Sequence, residues 1–268
     1  ATEHYGDPRI HSIDYAFIDE AQDLSTADIK AIKACTKRCV LMAGDADQSI
    51  YQPGFSFIRA GVDIRGRTRI LKINFRNTME LHEFCEGYRK KIPGQDEENQ
   101  PEAFRTGPPP ELFLSDSRDE LITLIGKRVD LFVNQLGYDP ENICIVSPSK
   151  NDMAGVWKRV TGNGYTVANI KDKEFDFSQT KGIRESTMHS CKGLDFPVIL
   201  LYLPGILSHD DSYDTATADK MTRNLVYVAI SRAMDHLNVF TTKNSGVKAI
   251  DDLIETFGET ETARNGHD

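Results

Sequence analysis

"FPVILLYL", residues 196–203, is apolar at nearly every position. A strand with one face in water alternates apolar and polar residues, so a run without that alternation has to be covered on both faces. Such a strand belongs in a parallel sheet, whose crossover connections lay helices on either side. The rest of the chain agrees. "YAFI", "CVLMAG", "RILKI", "ELFL", "NICIVS", "TVANI", "RESTMH" and "LNVFTT" have strand length and composition. Between them, "STADIKAIKAC", "TMELHEFCEGYRK", "SRDELITLIGKRVDLFVNQLG", "NDMAGVWKRVTG" and "TADKMTRNLVYVAISRAM" read as helices. Leu121, Ile125, Val129, Phe132 and Leu136 keep helical spacing. Ser25 with Asp28 forms a capping-box pattern, and "LGYDP" and "GNGY" supply the glycine turns that end helices. The predicted class is α/β, a doubly wound parallel sheet flanked by helices. The polar, proline-rich stretch 90–111 reads as a surface loop, the basic stretch 63–69 as a hinge, and 258–268 as a flexible tail.

Composition narrows the class of protein. With 268 residues and 39% hydrophobic content, the chain can build one large or two modest cores. No apolar run approaches the ~20 residues of a membrane span, and the first residues lack the basic start and apolar stretch of a signal peptide. Five scattered cysteines, without a C-x-x-C pair, read as reduced thiols of a cytoplasmic protein. The net charge of −9 argues against a basic coat for nucleic acid but leaves room for a local basic groove. A purely protein-binding module therefore stays as an alternative.

Five places hold residues suited to chemistry. In "YAFIDEAQDL" an apolar strand runs into Asp19 and Glu20. Asp19 is placed to hold Mg²⁺ and Glu20 to orient or deprotonate a water, against the plainer reading of two solvated acids at a turn. "VLMAGDADQSIY" repeats the arrangement with Gly44, Asp45 and Gln48, a neutral amide suited to sensing a phosphate. In "RILKINFRNT", Arg76 has the planar fork that clamps a phosphate, and Phe75 a face that stacks on a base. The plainer reading is a core aromatic and an arginine paired with an acid. "STMHSCKGLDFPVIL" puts His189, Lys192, Gly193 and Asp195 in a loop between strands. In "MTRNLVYVAISRAMDHLNVF", Met221, Leu225, Val228 and Arg232 share one helix face. The first three should be buried, and an arginine continuing that stripe calls for an anion unless it snorkels at the helix end.

Taken in order, "IDEAQDL", "LMAGDADQSIY", "INFRNT", "TMHSCKGLDFPVIL" and "RNLVYVAISRA" resemble the UvrD/Rep-like superfamily 1 DNA helicases, over residues 17–235. The resemblance implies two RecA-like motor domains with ATP and Mg²⁺ between them, moving on single-stranded DNA and unwinding duplex DNA. By it, Asp19 matches the Mg²⁺-holding acid, Glu20 the catalytic base and Gln48 the glutamine coupling the γ-phosphate to DNA. Arg76 and Arg232 match the arginines that reach the γ-phosphate. Phe75 stands where a tyrosine stacks on adenine, Asp195 where a glutamate meets the ribose, and Gly193 in the same nucleotide-side block. Thr187 and His189 fall where the family touches the DNA backbone. Tyr51 and either Phe55 or Phe57 fall near the family's base-stacking aromatic. A family arginine in the strand "ICIVSPSK" is missing, which leaves Ser147 and Ser149 as the candidate phosphate contacts.

The sequence also departs from the family. No G-x-x-x-x-G-K-[ST] occurs, and "IGKR" (125–128) has Leu121 where the first glycine belongs. The expectation is a piece comprising the end of a first motor domain (1–65), a second one (66–257) and the tail. An N-terminal part of the same protein would carry the phosphate loop. The chain alone should not turn over ATP. No large extra domain fits between Thr78 and Thr187. A helicase-like module that binds DNA or a partner without catalysis is the alternative, and a subunit working with a separate nuclease a third reading.

Overall fold

A computed structural model of the chain describes residues 13–44, 62, 66, 67, 69, 73–94, 102–205, 214–243 and 245–265. The chain divides into two units, residues 1–70 and 71–268.

The first unit contains one βαβ crossover. Strand β1 (Ile13–Ile18) leads through a short helical turn to α1 (Thr26–Cys35), which passes directly into β2 (Thr36–Met42). β1 and β2 are parallel, with Phe17 opposite Leu41. The capping box forms as expected: the Ser25 hydroxyl accepts from the Asp28 N–H, and the Asp28 carboxylate accepts from the Ser25 N–H. That pairing also lowers the pKa of Asp28. Ile29 on α1 is buried. By contrast Ile13, Tyr15, Phe17 and Leu41 are exposed, so one apolar face of this two-stranded sheet is bare among the described residues.

The second unit is organised around a six-stranded sheet. Its elements, in chain order, are β3 (Ile73–Thr78), α2 (Met79–Arg89), β4 (Glu102–Arg105), β5 (Glu111–Leu114), α3 (Arg118–Asn134), β6 (Ile143–Ser147), α4 (Ala154–Gly162), β7 (Val167–Asn169), β8 (Ile183–Thr187), β9 (Phe196–Leu203), α5 (Thr215–Ile230), β10 (Ala233–Thr241) and α6 (Lys248–Asn265). The order across the sheet is β5-β10-β9-β6-β8-β7, every pairing parallel. β9 is central, and its residues alternate between two cores. Val198, Leu200 and Tyr202 face α3 and α4, where they meet Leu121, Ile125, Val129, Phe132, Val156 and Val160. Ile199, Leu201 and Leu203 face α2, α5 and α6. β6 splits likewise, Ile143 and Ile145 to one side, Cys144 and Val146 to the other. The α/β class with helices on both faces of a parallel sheet is therefore the fold of this unit.

Four local expectations change. A strand, β4, lies inside the expected loop 90–111 and pairs with β3 in a separate two-stranded sheet. Helix α6 occupies 248–265, where a tail was expected from 258. Its apolar side, Ile250, Leu253 and Phe257, packs under α2, and the Phe84 and Phe257 rings lie 4.4 Å apart. The end of α6 stays helical, with the Thr260 and Thr262 hydroxyls on the carbonyls four residues earlier. α5 stops at Ile230, because the chain must turn to enter β10, so Arg232 lies in that turn and not on the helix. Met221 and Leu225 are half-buried and only Val228 is buried. Cys85, Cys144 and Cys191 are buried, whereas Cys39 is exposed.

Two predictions follow from this packing. Leu200→Ala should destabilise the second unit by about 3 kcal/mol, while exposed Leu136→Ala stays within about 0.5 kcal/mol. The single tryptophan, Trp157, lies in this unit, so its fluorescence in a urea titration reads both. His236 sits edge-on to Phe132 (5.0 Å) and Tyr138 (5.5 Å). Burial, with help from Arg128, lowers its pKa against the opposing pull of Asp235 and Glu111. The folded state therefore prefers the neutral ring. Its contribution is present above the unfolded value of 6.5 and is lost as pH falls below it toward the folded pKa. His236→Leu should flatten the stability profile in that window.

Candidate functional site

In the first unit, β1 delivers Asp19 and Glu20 at its carboxyl end. Asp19 is exposed and Glu20 half-buried. Glu20 has φ 50° and ψ 44°, the only positive φ of a non-glycine among the described residues. A left-handed conformation costs such a residue roughly 1–2 kcal/mol. The surroundings hold it there. The Asp19 carboxylate accepts from the Glu20 N–H at 2.9 Å, the Ala21 N–H donates to Ala43, and the Ala43 N–H donates to Ile18. These last two bonds tie the end of β1 to the residue before Gly44. Gln48, Tyr51, Phe55 and Phe57 lie outside the described residues.

In the second unit, three charged side chains meet where β9 and β10 begin. Asp195 immediately precedes β9, Arg232 immediately precedes β10, and Arg76 comes from β3. Arg76 Nε is 2.9 Å from one oxygen of the Asp195 carboxylate, and a terminal nitrogen of Arg232 is 3.6 Å from the other. Arg232 is 1% exposed, and its Nε donates to the Val228 carbonyl at 3.2 Å. Two guanidinium groups thus converge on one carboxylate. Asp195, which the resemblance gives to a ribose, is engaged by both arginines. Phe75, 68% exposed, is no core residue; its ring lies 6.2 Å from that of the exposed Phe104 of β4.

Around this triad lie residues that the sequence reading passed over. Asn77, next to Arg76, is buried and donates its amide to the carbonyls of Ser231 and Ala233. Arg105 of β4 donates to the carbonyls of Arg76 and Met234 and pairs with Asp235 at 2.8 Å. Asn77 stood inside a block already singled out. Arg105 had no local signal, since all its partners are distant in sequence.

Ser147, Thr187 and His189 lie at the other end of the sheet, where β6 and β8 finish, and Gly193 follows in the connection to β9. Ser147 is fully buried and its hydroxyl donates to the Ser149 carbonyl, so in this arrangement it offers nothing to a phosphate. Burial on the strand between two neighbours is the physical reason. Thr187 is half-buried, its hydroxyl bonded to Ser190. His189 reaches the surface, yet the protein packed around it lowers its pKa and favours the neutral ring. Gly193 has φ 75°, a turn conformation that suits glycine. The segment 188–195 therefore runs from the carboxyl end of β8 to the start of β9, with Met188 and Cys191 buried in the core on the way.

Residues 8–56, which include Asp19 and Glu20, match the family model described as UvrD/REP helicase N-terminal domain. A solved structure described as the C-terminal domain of a possible DNA helicase from Lactobacillus plantarum WCFS1 is similar to 63% of this chain and 88% of its own, at 16% identity and a TM-score of 0.45. No curated protein matches the chain.

The buried Arg232 depends on Asp195 for part of its compensation. Asp195→Asn should cost about 2 kcal/mol in the second unit, since removing one partner leaves a buried charge less compensated. The partial exposure of Asp195 keeps the loss below that of a fully buried pair. In an Arg232→Met background the same change should cost clearly less, read by Trp157 fluorescence in urea.

Proposed function

We propose that the chain is part of an ATP-dependent DNA helicase or translocase, each unit supplying part of one nucleotide-hydrolysing apparatus. The convergence of Arg76 and Arg232 on a single carboxylate carries this reading: two cationic forks aimed at one small anion suit a phosphoryl group. The match of residues 8–56 to a helicase domain supports it from the other unit.

The residues present fit the implied groups. Mg²⁺ takes one or two carboxylates and completes its shell with water and phosphate oxygens, and exposed Asp19 at a strand end suits that share. Bound ATP with Mg²⁺ supplies the anhydride whose cleavage drives movement. Glu20, held in a strained turn beside Asp19, orients a water and accepts its proton. Arg76 and Arg232 bind the terminal phosphate and meet the charge that develops on it, a contribution worth orders of magnitude in rate. The exposed ring of Phe75 stacks on the adenine, and Asp195 and Gly193 lie on the same nucleotide side. Gln48 couples the phosphate to the DNA track. Tyr51, Phe55 or Phe57, together with Thr187 and His189, meet single-stranded DNA. Ser147 would join them only if the end of β6 rearranged to free its hydroxyl.

A phosphate loop is the missing element of this set, since the sequence contains no G-x-x-x-x-G-K-[ST]. In this reading a further part of the same protein supplies it, and the bare apolar face of β1 and β2 is where additional sheet and helix would pack.

The 268-residue chain should therefore show no ATP turnover above background with single-stranded DNA. Turnover at an ordinary enzymatic rate would overturn the division of labour proposed here. In the full-length protein, Glu20→Gln should abolish steady-state turnover while leaving ATP binding intact. An unchanged rate would remove Glu20 from its role.

A further inference from the structure

We propose that Asn77 is a positioning residue that fixes the separation of Arg76 and Arg232, so that both guanidinium groups meet the same phosphate. The inference rests on the reading of these two arginines as phosphate ligands. Asn77 follows Arg76 directly in the chain and is 5% exposed. Its side-chain amide donates to the carbonyl of Ser231 at 3.2 Å and to that of Ala233 at 2.5 Å. Those two residues flank Arg232 on either side. One amide group thus holds the backbone that carries the second arginine against the backbone that carries the first.

The clamp is itself held in place. Asn74 donates its amide to the Asn77 side-chain oxygen at 2.8 Å. The Asn74 oxygen accepts from the backbone N–H groups of Arg76 and Asn77, at 2.9 and 3.3 Å. Arg105 adds a parallel tie, from the Arg76 carbonyl at 2.5 Å to the Met234 carbonyl at 3.0 Å. No β ladder joins β3 to β10, which belong to different sheets. These side-chain bonds therefore tie the two arginine-bearing segments directly, beside the core packing of α2 that follows β3. Their outcome is visible in the shared carboxylate of Asp195, reached by Arg76 at 2.9 Å and by Arg232 at 3.6 Å.

A displacement of about 1 Å in a group that stabilises a transition state costs on the order of a hundredfold in rate. Alanine at 77 removes both donors and releases the two segments. Aspartate keeps the shape but turns an oxygen toward the two carbonyls, so it should behave as alanine does.

The test is the DNA-stimulated ATPase of the full-length protein. Asn77→Ala and Asn77→Asp should lower kcat by about 10- to 100-fold, with KM for ATP changed by less than about threefold. Arg105→Gln, which cuts only the parallel tie, should lower kcat by a smaller factor at the same KM. The deciding arm is Asn77→Ala in an Arg232→Ala background. A residue acting through Arg232 adds little there, whereas a purely structural one adds its full effect. An unchanged kcat in Asn77→Ala, or full additivity with Arg232→Ala, overturns the proposal while leaving the arginines in their role. If neither Asn77 variant folds, the same cycle with Arg105→Gln decides: additivity overturns it. If Arg76→Ala and Arg232→Ala leave kcat unchanged, or the full-length protein has no ATPase, the functional reading fails and this inference with it.

Discussion

The second unit depends on the burial of β9 on both faces. A strand whose successive residues must enter two different cores cannot sit at an edge or on an open sheet. Once it is central, its neighbours must be parallel and their crossovers must place helices above and below. Val198 and Leu200 then need α3 and α4, and Ile199 and Leu201 need α2, α5 and α6. The positions of the candidate site residues follow from the same constraint. Every strand points one way, so loops that enter strands gather at one end of the sheet and loops that leave them at the other. Asp195 and Arg232 occupy the first end, and Thr187 and His189 the second.

One short segment joins these ends. Residues 188–195 leave β8 beside Thr187 and His189 and arrive at β9 with Asp195 in contact with both arginines. Met188 and Cys191 are anchored in the core along the way. A segment pinned at its middle and engaged at both tips is suited to transmitting a local change, because packed cores shift between discrete arrangements and do not stretch. The Asn77 clamp belongs to the same logic at the arginine end. It keeps the pair Arg76 and Arg232 moving as one body.

What could be read from sequence followed the range of the interaction concerned. The strands β1, β6 and β9 were legible because burial writes itself into consecutive residues. Helix α6 was missed, although Ile250, Leu253, Ile254 and Phe257 keep helical spacing, because its polar end beyond 258 reads as a tail. β4 was not legible. It is four residues long in a proline-rich stretch, and Arg105 fixes it through partners that lie up to 130 residues away. Arg232 was a mixed case. Its burial was anticipated from helical spacing, but the helix ends at Ile230, and its carboxylate partner comes from Asp195 of the same chain. The acidic pair Asp19 and Glu20 stood out at a strand end, while the left-handed backbone of Glu20 had no signal in residue type.

A net charge of −9 is compatible with the phosphate site proposed above. Overall charge acts over a Debye length of about 8 Å in physiological salt, and beyond it charges are largely screened. What a phosphate meets is set by the few groups within that distance. In the second unit the triad sets two arginines against one carboxylate, an excess of one positive charge, with the neutral Arg105–Asp235 pair beside it. In the first unit these groups are two acids, which repel phosphate unless a cation lies between. Each unit holds its own charged groups at the end of a parallel sheet. Strain at Glu20 and burial of Arg232 are the costs of holding these charges in place without a ligand.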